Sequence, residues 1–295
     1  VKRFLALAAA AIAIAALLFG IDYYRHRWVR HNSDLVWLLP PGDLNVIFAD
    51  IATLRKAGLL GVLSNIKVAP DKSYDAFLAE TGFDYTRDLD AIAIGIDPQQ
   101  TFLIGRGRFR WDRFKAFAKS HNGTCESAAC RAPSSTPGRW VNFISIQPDV
   151  IGVAISQSET AADDLRPPGR RVQGKTPQAP VWASLAHQLL THPITLPLPF
   201  QIFAISMQEA QSVLVSAELH SINLKAHFLN AAAAATARTQ LELQTKRLST
   251  ALAQGSEKPD PASLATLLTA GSFTVVGTDV LGRWPLYPEF LKAIQ

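Results

Sequence analysis

From Phe4 to Ile21 the chain runs for eighteen residues without a charge (FLALAAAAIAIAALLFGI), between Lys2-Arg3 on one side and Asp22 on the other. A helix of that length extends about 27 Å at ~1.5 Å per residue, close to the ~30 Å hydrocarbon core of a bilayer. Tyr23, Tyr24, Arg25, Arg27 and Trp28 follow, the mixture of amphipathic rings and basic side chains that suits a membrane–water interface. A cleaved signal peptide would close a shorter apolar region with a small-x-small site and then turn polar. Here Ala13-Ile14-Ala15 continues straight into Ala16-Leu17-Leu18-Phe19. The expectation is therefore an uncleaved single-pass transmembrane helix whose interface residues are Tyr23, Tyr24, Arg25, Arg27 and Trp28. A core helix is the poorer reading, because a helix apolar on all sides needs a large core around it. Val1 fits a GTG start codon and hence a bacterial source.

This segment also explains the chain's charge. The formal net charge of +5 and pI near 9.3 invite a nucleic-acid reading. Yet Lys2, Arg3, Arg25, Arg27 and Arg30 against Asp22 carry +4 of it, which leaves 24 basic and 23 acidic residues for everything after His31. A nucleic-acid surface needs its excess of Lys and Arg on the body itself, so no nucleic-acid partner is expected. Basic residues on both flanks leave orientation open, and the cysteines supply a second argument. Cys125 and Cys130 stand in the polar stretch Gly-Thr-Cys-Glu-Ser-Ala-Ala-Cys-Arg. Two local cysteines in a chain with an export signal point to a disulfide, as across a hairpin, and so to an oxidising, periplasmic compartment. Free thiols and a metal or redox site are the alternatives. A zinc site would need further ligands, with His121 the one nearby, and a redox pair would be spaced C-x-x-C.

After the anchor and its flank (1–31), the reading divides the chain into a first α+β domain (32–162), a linker (163–180) and a second α+β domain (181–295). In the first domain, strands are expected at Leu44–Ile51, Leu89–Ile96, Thr101–Phe109, Trp140–Ile146 and Val150–Ser156. Helices are expected at Thr53–Asn65, Tyr74–Thr81 and Trp111–Ser120. The linker carries Arg166-Pro167-Pro168-Gly169, a stretch that breaks both periodicities. In the second domain the patterns predict a helix at Val181–Leu190, strands at Gln201–Met207, Ser212–Leu219 and Ile222–Phe228, and a long helix at Ala231–Gln254. A short helix at Pro261–Thr269, a strand at Ser272–Thr278 and a helix near Pro288–Ile294 complete it. The fold class that follows is α+β, with mainly antiparallel sheets and helices packed on one face; the comparable order of elements allows two similar halves.

Gly105-Arg106-Gly107 lies in a strand and lacks the third glycine of a dinucleotide fingerprint. Arg106, Arg108, Arg110, Arg113, Lys115 and Lys119 alternate with Phe109, Trp111, Phe114 and Phe117. That pattern is read as buried rings and solvated charges, with single-stranded nucleic acid or anionic lipid headgroups as the competing partners. Asp84, Asp88 and Asp90 around Arg87 are read as turn caps and ion pairs rather than as a cation loop. No Gly-x-Ser-x-Gly, no His-Glu-x-x-His and no Cys with a plausible catalytic His nearby is present, and His187, His192, His220 and His227 are scattered. No catalytic residue, cofactor or metal is assigned.

One resemblance remains. Leu39-Pro40-x-x-Asp43, Val46-Ile47-Phe48-Ala49-Asp50, Leu54-Arg55, then Gly82-Phe83-Asp84-Tyr85-x-Arg87-Asp88-Leu89-Asp90 and Gly107-Arg108-Phe109 resemble a group of uncharacterised bacterial signal-anchored extracytoplasmic proteins over roughly residues 35 to 120. The resemblance implies export and transfers no site residue. The expected function is that of a non-catalytic membrane-anchored extracytoplasmic protein, held to membrane lipid by its N-terminal helix and serving as a protein-binding accessory or peripheral subunit of a membrane complex. The alternatives are a binding module for an apolar or lipid ligand, which an open apolar pocket would single out, and a hydrolase whose triad is dispersed in sequence.

Overall fold

The computed structural model describes residues 31–60, 78–165, 176–191, 198–254, 263–287 and 290. The apolar run 4–21 and the interface residues Tyr23, Tyr24, Arg25, Arg27 and Trp28 lie outside them, as does most of the terminal helix expected near 288–294. Among the described residues no helix is long and apolar enough to cross a membrane.

Twelve strands form one antiparallel sheet in the order β11-β12-β10-β9-β8-β1-β2-β3-β7-β6-β5-β4. They are β1 Asn45–Ala49, β2 Leu89–Ile96, β3 Thr101–Gly107, β4 Thr124–Glu126, β5 Ala129–Pro133, β6 Trp140–Gln147, β7 Val150–Ser156, β8 Val181–Ala186, β9 Ser212–Ala217, β10 Ser221–His227, β11 Ser272–Val276 and β12 Asp279–Pro285. The helices with described bounds are α1 Ile51–Lys56, α2 Tyr85–Asp88, α3 Trp111–Ser120, α4 His187–Thr191, α5 Leu198–Ile205, α6 Ala231–Gln254 and α7 Leu264–Thr269, with 3-10 helices at Asn32–Leu38 and Ala161–Leu165.

The alternation of side chains along each strand gives the sheet two different faces. On one, the 3-10 helices seal Phe48, Ala91, Ala93, Phe102, Ile104, Ile144, Val150 and Ala154 beneath Leu35, Leu38 and Leu165. On that same face the far strands β9, β10, β12 and β11 carry Ser216, Asn223, Lys225, Arg283 and Thr274, a polar surface. The α-helices take the opposite face. There α3 lays Phe114 and Ala118 on Cys130, Phe143 and Ile151, while α5, α6 and α7 bury Phe203, Ala234, Ala237, Leu241, Leu267 and Leu268 against Val213, Leu224, Ala226, Phe273, Val280 and Trp284.

Local chemistry accounts for much of this. The Asp97 carboxylate accepts from the N–H groups of Gln99 and Gln100 at 2.7 and 2.8 Å, which closes the β2–β3 hairpin as an Asx turn. Gly82, at φ +66°, ends the preceding helix by donating its N–H to the Leu78 carbonyl at 2.8 Å, a left-handed cap that suits glycine. Helices α3 and α6 and strand β2 match their sequence expectations residue for residue.

Two segments change type. Val181–Ala186 is strand β8 rather than the start of a helix, and only His187–Thr191 is helical. Strand β8 pairs with β1 on one side and β9 on the other, and so is what makes the sheet continuous. Gln201–Met207 is read as a strand from its apolar, aromatic run, but Leu198–Ile205 is helix α5. The second strand of the final hairpin, β12, has no counterpart in the sequence reading.

Candidate functional site

The helical layer does not cover its face of the sheet evenly. α1 lies on β2 and α6 on β11 and β12, and between them the strands β1, β8 and β9 turn a row of small and branched side chains toward the helices. The register lines up two rows across the seam. Ile47, Ala183, Val215, Leu224, Gly282 and Phe273 are successive partners in one, and Ala49, Val181, Ala217, Ile222 and Trp284 in the other. With only methyl groups at Ala183 and Ala217, the floor drops where the two rows cross β8 and β9.

Above that floor is a cavity of about 350 Å3, walled by Leu190 of α4, Phe203 and Ala204 of α5, Met207, and Leu264, Leu267 and Leu268 of α7. All eighteen residues around it are apolar. The strands of the floor are paired in the sheet ladder, and the indole Nε1 of Trp284 donates to the Leu268 carbonyl at 3.2 Å; the ring of Trp182 stacks on Phe48, and its buried Nε1 has no hydrogen-bond partner among the described residues. Ile47, in the floor, is itself 36% exposed, and the cavity reaches the surface beside it. The volume lies at the small end of the ~300–1,000 Å3 typical of ligand pockets.

The residues singled out in the sequence occupy structural positions elsewhere. Cys125 and Cys130 are directly opposed in the β4–β5 hairpin and joined by a disulfide, with Cα atoms 4.0 Å apart, slightly closer than the usual range. Asp84 caps α2, accepting from the N–H of Thr86 at 2.9 Å, and Asp90 pairs with Arg55 at 3.4 Å. Asp88 accepts from the Asp84 N–H at 3.0 Å and lies 3.0 Å from Arg87 and 3.2 Å from Arg108. The Arg87 hydrogen bond is the main cause that holds its carboxyl down to about 2, against the opposing effect of burial. Arg106 is buried against Asp149 at 3.3 Å and bonds Asn32. Phe109 and Trp111 both pack on Phe114, and the three join Phe83 and Phe143 in a cluster of stacked and edge-to-face rings with centroids 5.3 to 6.4 Å apart. Those rings belong to the core and are not presented for base stacking.

One constellation invisible in the sequence needs weighing. On the polar face, Ser212, His227 and Asp279 are partners across β9, β10 and β12, and His227 Nδ1 lies 2.7 Å from Asp279 Oδ1, the order of a Ser-His-Asp set. Lys225 takes the other carboxylate oxygen at 2.8 Å. Lys225 first, then His227, holds the Asp279 carboxyl below its ordinary value. Ser212 makes no hydrogen bond to the imidazole among the described residues, and the neighbouring strand N–H groups are committed to the ladder, so no oxyanion donor is at hand. The row is a cross-strand ion pair on an open surface. Among the described residues no group of three or more His, Cys, Asp or Glu side chains is placed to hold a metal ion.

No protein-family model and no curated protein matches the chain. Among solved structures, crystal form III of TP0453 is similar at a TM-score of 0.49 and 11% identity, over 90% of this chain and 98% of that one. Crystal form I of the same protein gives 0.45 and 12%, over 88% and 95%. At this distance the likeness implies nothing about what either chain binds.

Proposed function

We propose that the chain is a non-catalytic binding protein for an apolar ligand of the acyl-chain class, held in the cavity between the β1–β8–β9 floor and helices α5 and α7. The observation that carries this reading is the cavity's lining, about 350 Å3 enclosed by apolar residues throughout. A methylene takes about the ~30 Å3 of a liquid water, so the space suits on the order of ten of them. Burying each is worth about 0.8 kcal/mol, with a comparable gain from any wall that is wetted. Ten such groups contribute about 8 kcal/mol, so association costs of at least ~4 kcal/mol leave about 4 kcal/mol, an affinity of millimolar order that any wetted wall surface tightens. A polar or charged ligand would lose its hydration without recompense on such a wall.

The same lining favours ligand binding over the protein-binding accessory role. The apolar run 4–21 would keep the carrier at the periplasmic face of a membrane, where acyl chains are abundant.

Titration of the delipidated chain with a polyene fatty acid tests this. The reading expects saturable one-to-one binding, with energy transfer from Trp284 in the wall. Signal that rises in proportion to concentration without saturating, as partition into a detergent-like surface would give, overturns it.

A further inference from the structure

From Thr176 to Gln208 the chain contains no Asp, Glu, Lys or Arg, thirty-three residues where its overall 18% of charged residues would place about six. The run covers β8, α4 and α5. Strand β8 is central in the sheet and needs no charge. Helix α5 is not central, since it forms the outer wall of the cavity. Its inward residues Phe203 and Ala204, with Met207 beyond, line the cavity. Its outward residues Ile202 and Ile205 are 37% and 52% exposed. A surface helix of a water-soluble body carries charge on its outer side, and α5 carries branched hydrocarbon there. By contrast Leu243 on α6 is exposed singly beside Glu242 and needs no partner.

Resting on the proposed ligand-binding reading, we infer that α5 is the membrane-contacting wall of the cavity: Ile202 and Ile205 enter the apolar part of a bilayer, and ligand passes between bilayer and cavity on that side. Two features choose a bilayer over a protein partner. Protein interfaces keep a polar rim and are enriched in Arg, whereas the apolar part of a bilayer disfavours every charge, and this segment lacks charge throughout. The second is the run 4–21, outside the described residues, which has the length and composition to hold the body against a membrane. Eight residues of helix extend only about 12 Å, so α5 lies in the interface rather than across it.

The test places a nitroxide label at Ile205→Cys, and separately at Ile202→Cys, in the full chain with its disulfide intact. A Leu243→Cys label on α6 serves as the reference. In phosphatidylcholine–phosphatidylglycerol vesicles, paramagnetic accessibility reads depth, and organic extraction of the same sample reads bound lipid. The inference expects labels at 202 and 205 to gain oxygen accessibility and lose access to an aqueous nickel chelate about tenfold on vesicle binding, while the label at 243 stays wet. Labels at 202 and 205 that remain as accessible to nickel as the one at 243 overturn it, and if bound lipid is then still extracted, the ligand-binding reading survives its loss. Deep labels without extracted lipid leave the docking standing and remove the ligand. Labels immobilised by a second copy, reported by dipolar broadening, overturn the bilayer assignment.

Discussion

Substitution of Ala183 by leucine separates a true cavity from a tightly packed core by the sign of its effect. Ala183 lies in the floor between Ile47 and Val215. Leucine adds three methylene equivalents, about 90 Å3 on a ~30 Å3 basis, against the cavity's 350 Å3. Filling space already present removes apolar surface from water at about 0.8 kcal/mol per group. After ~0.5–1 kcal/mol of lost side-chain freedom, a net gain of about 1.5 kcal/mol remains. For a chain of this size that raises the Tm of the ligand-free protein by about 3–6 °C. The ligand loses the same three groups' worth of contact, about 2.4 kcal/mol, or roughly fiftyfold in Kd. Leucine also fits a strand better than alanine, so Ala93→Leu is the matched control. Ala93 lies in β2, fully buried under the 3-10 helices, and overpacking there costs about 1–3 kcal/mol. Thermal unfolding by circular dichroism and a fatty-acid titration read both quantities. A Tm that falls for Ala183→Leu as it does for Ala93→Leu would show that the floor is packed. A raised Tm with unchanged affinity would move the ligand elsewhere.

Three further outcomes follow from the same structure. Gly107→Ala would bring its Cβ to 2.1 Å from the Asp88 carbonyl oxygen, forcing β2 from β3 at the 89/91 irregularity, and should cost about 3 kcal/mol in urea unfolding. The Asp88 carboxyl, held near 2 by Arg87, contributes stability that is complete above its ordinary value of 3.8 and is lost as pH falls toward 2. With both arginine partners largely exposed that contribution is about 1 kcal/mol, and Asp88→Asn should flatten the stability profile in this window while leaving any loss above pH 5 untouched. Reduction of Cys125–Cys130, which closes a loop of few residues, should cost about 2 kcal/mol at most, and hydrogen exchange should rise in 124–133 at the sheet edge while β1 and β2 keep their protection.

What the sequence revealed and what it hid divide along physical lines. Trp111–Ser120 and Ala231–Gln254 are long and locally consistent, and Leu89–Ile96 alternates buried with half-buried positions along its length, so nothing distant was needed to place them. Val181–Ala186 (VWASLA) is an apolar run too short for periodicity to choose between strand and helix. It adjoins the helical His187–Thr191 without a break, and the deciding contacts come from β1, more than 130 residues earlier. The aromatic and branched composition of Leu198–Ile205 suggests a strand, but the sheet has no place for one there and the cavity takes it as a wall. Strand β12 was hidden by Gly282, where a side chain would meet the Phe273 ring at 3.0 Å, a glycine required by packing rather than by a turn. The cavity was not legible because its lining comes from β1, β8, β9, β10, β12 and three helices, none distinctive alone. Its one trace in the sequence is the charge-free run 176–208.

The most direct test of the central claim is photocrosslinking with a diazirine-bearing fatty acid, followed by peptide mapping of the full chain. The account predicts label on Val181–Leu185, Phe203–Met207, Val213–Ala217 and Leu264–Leu268, displaced by excess unlabelled ligand. Label confined to isolated exposed residues such as Leu229 and Leu243, and undiminished by competitor, would contradict it.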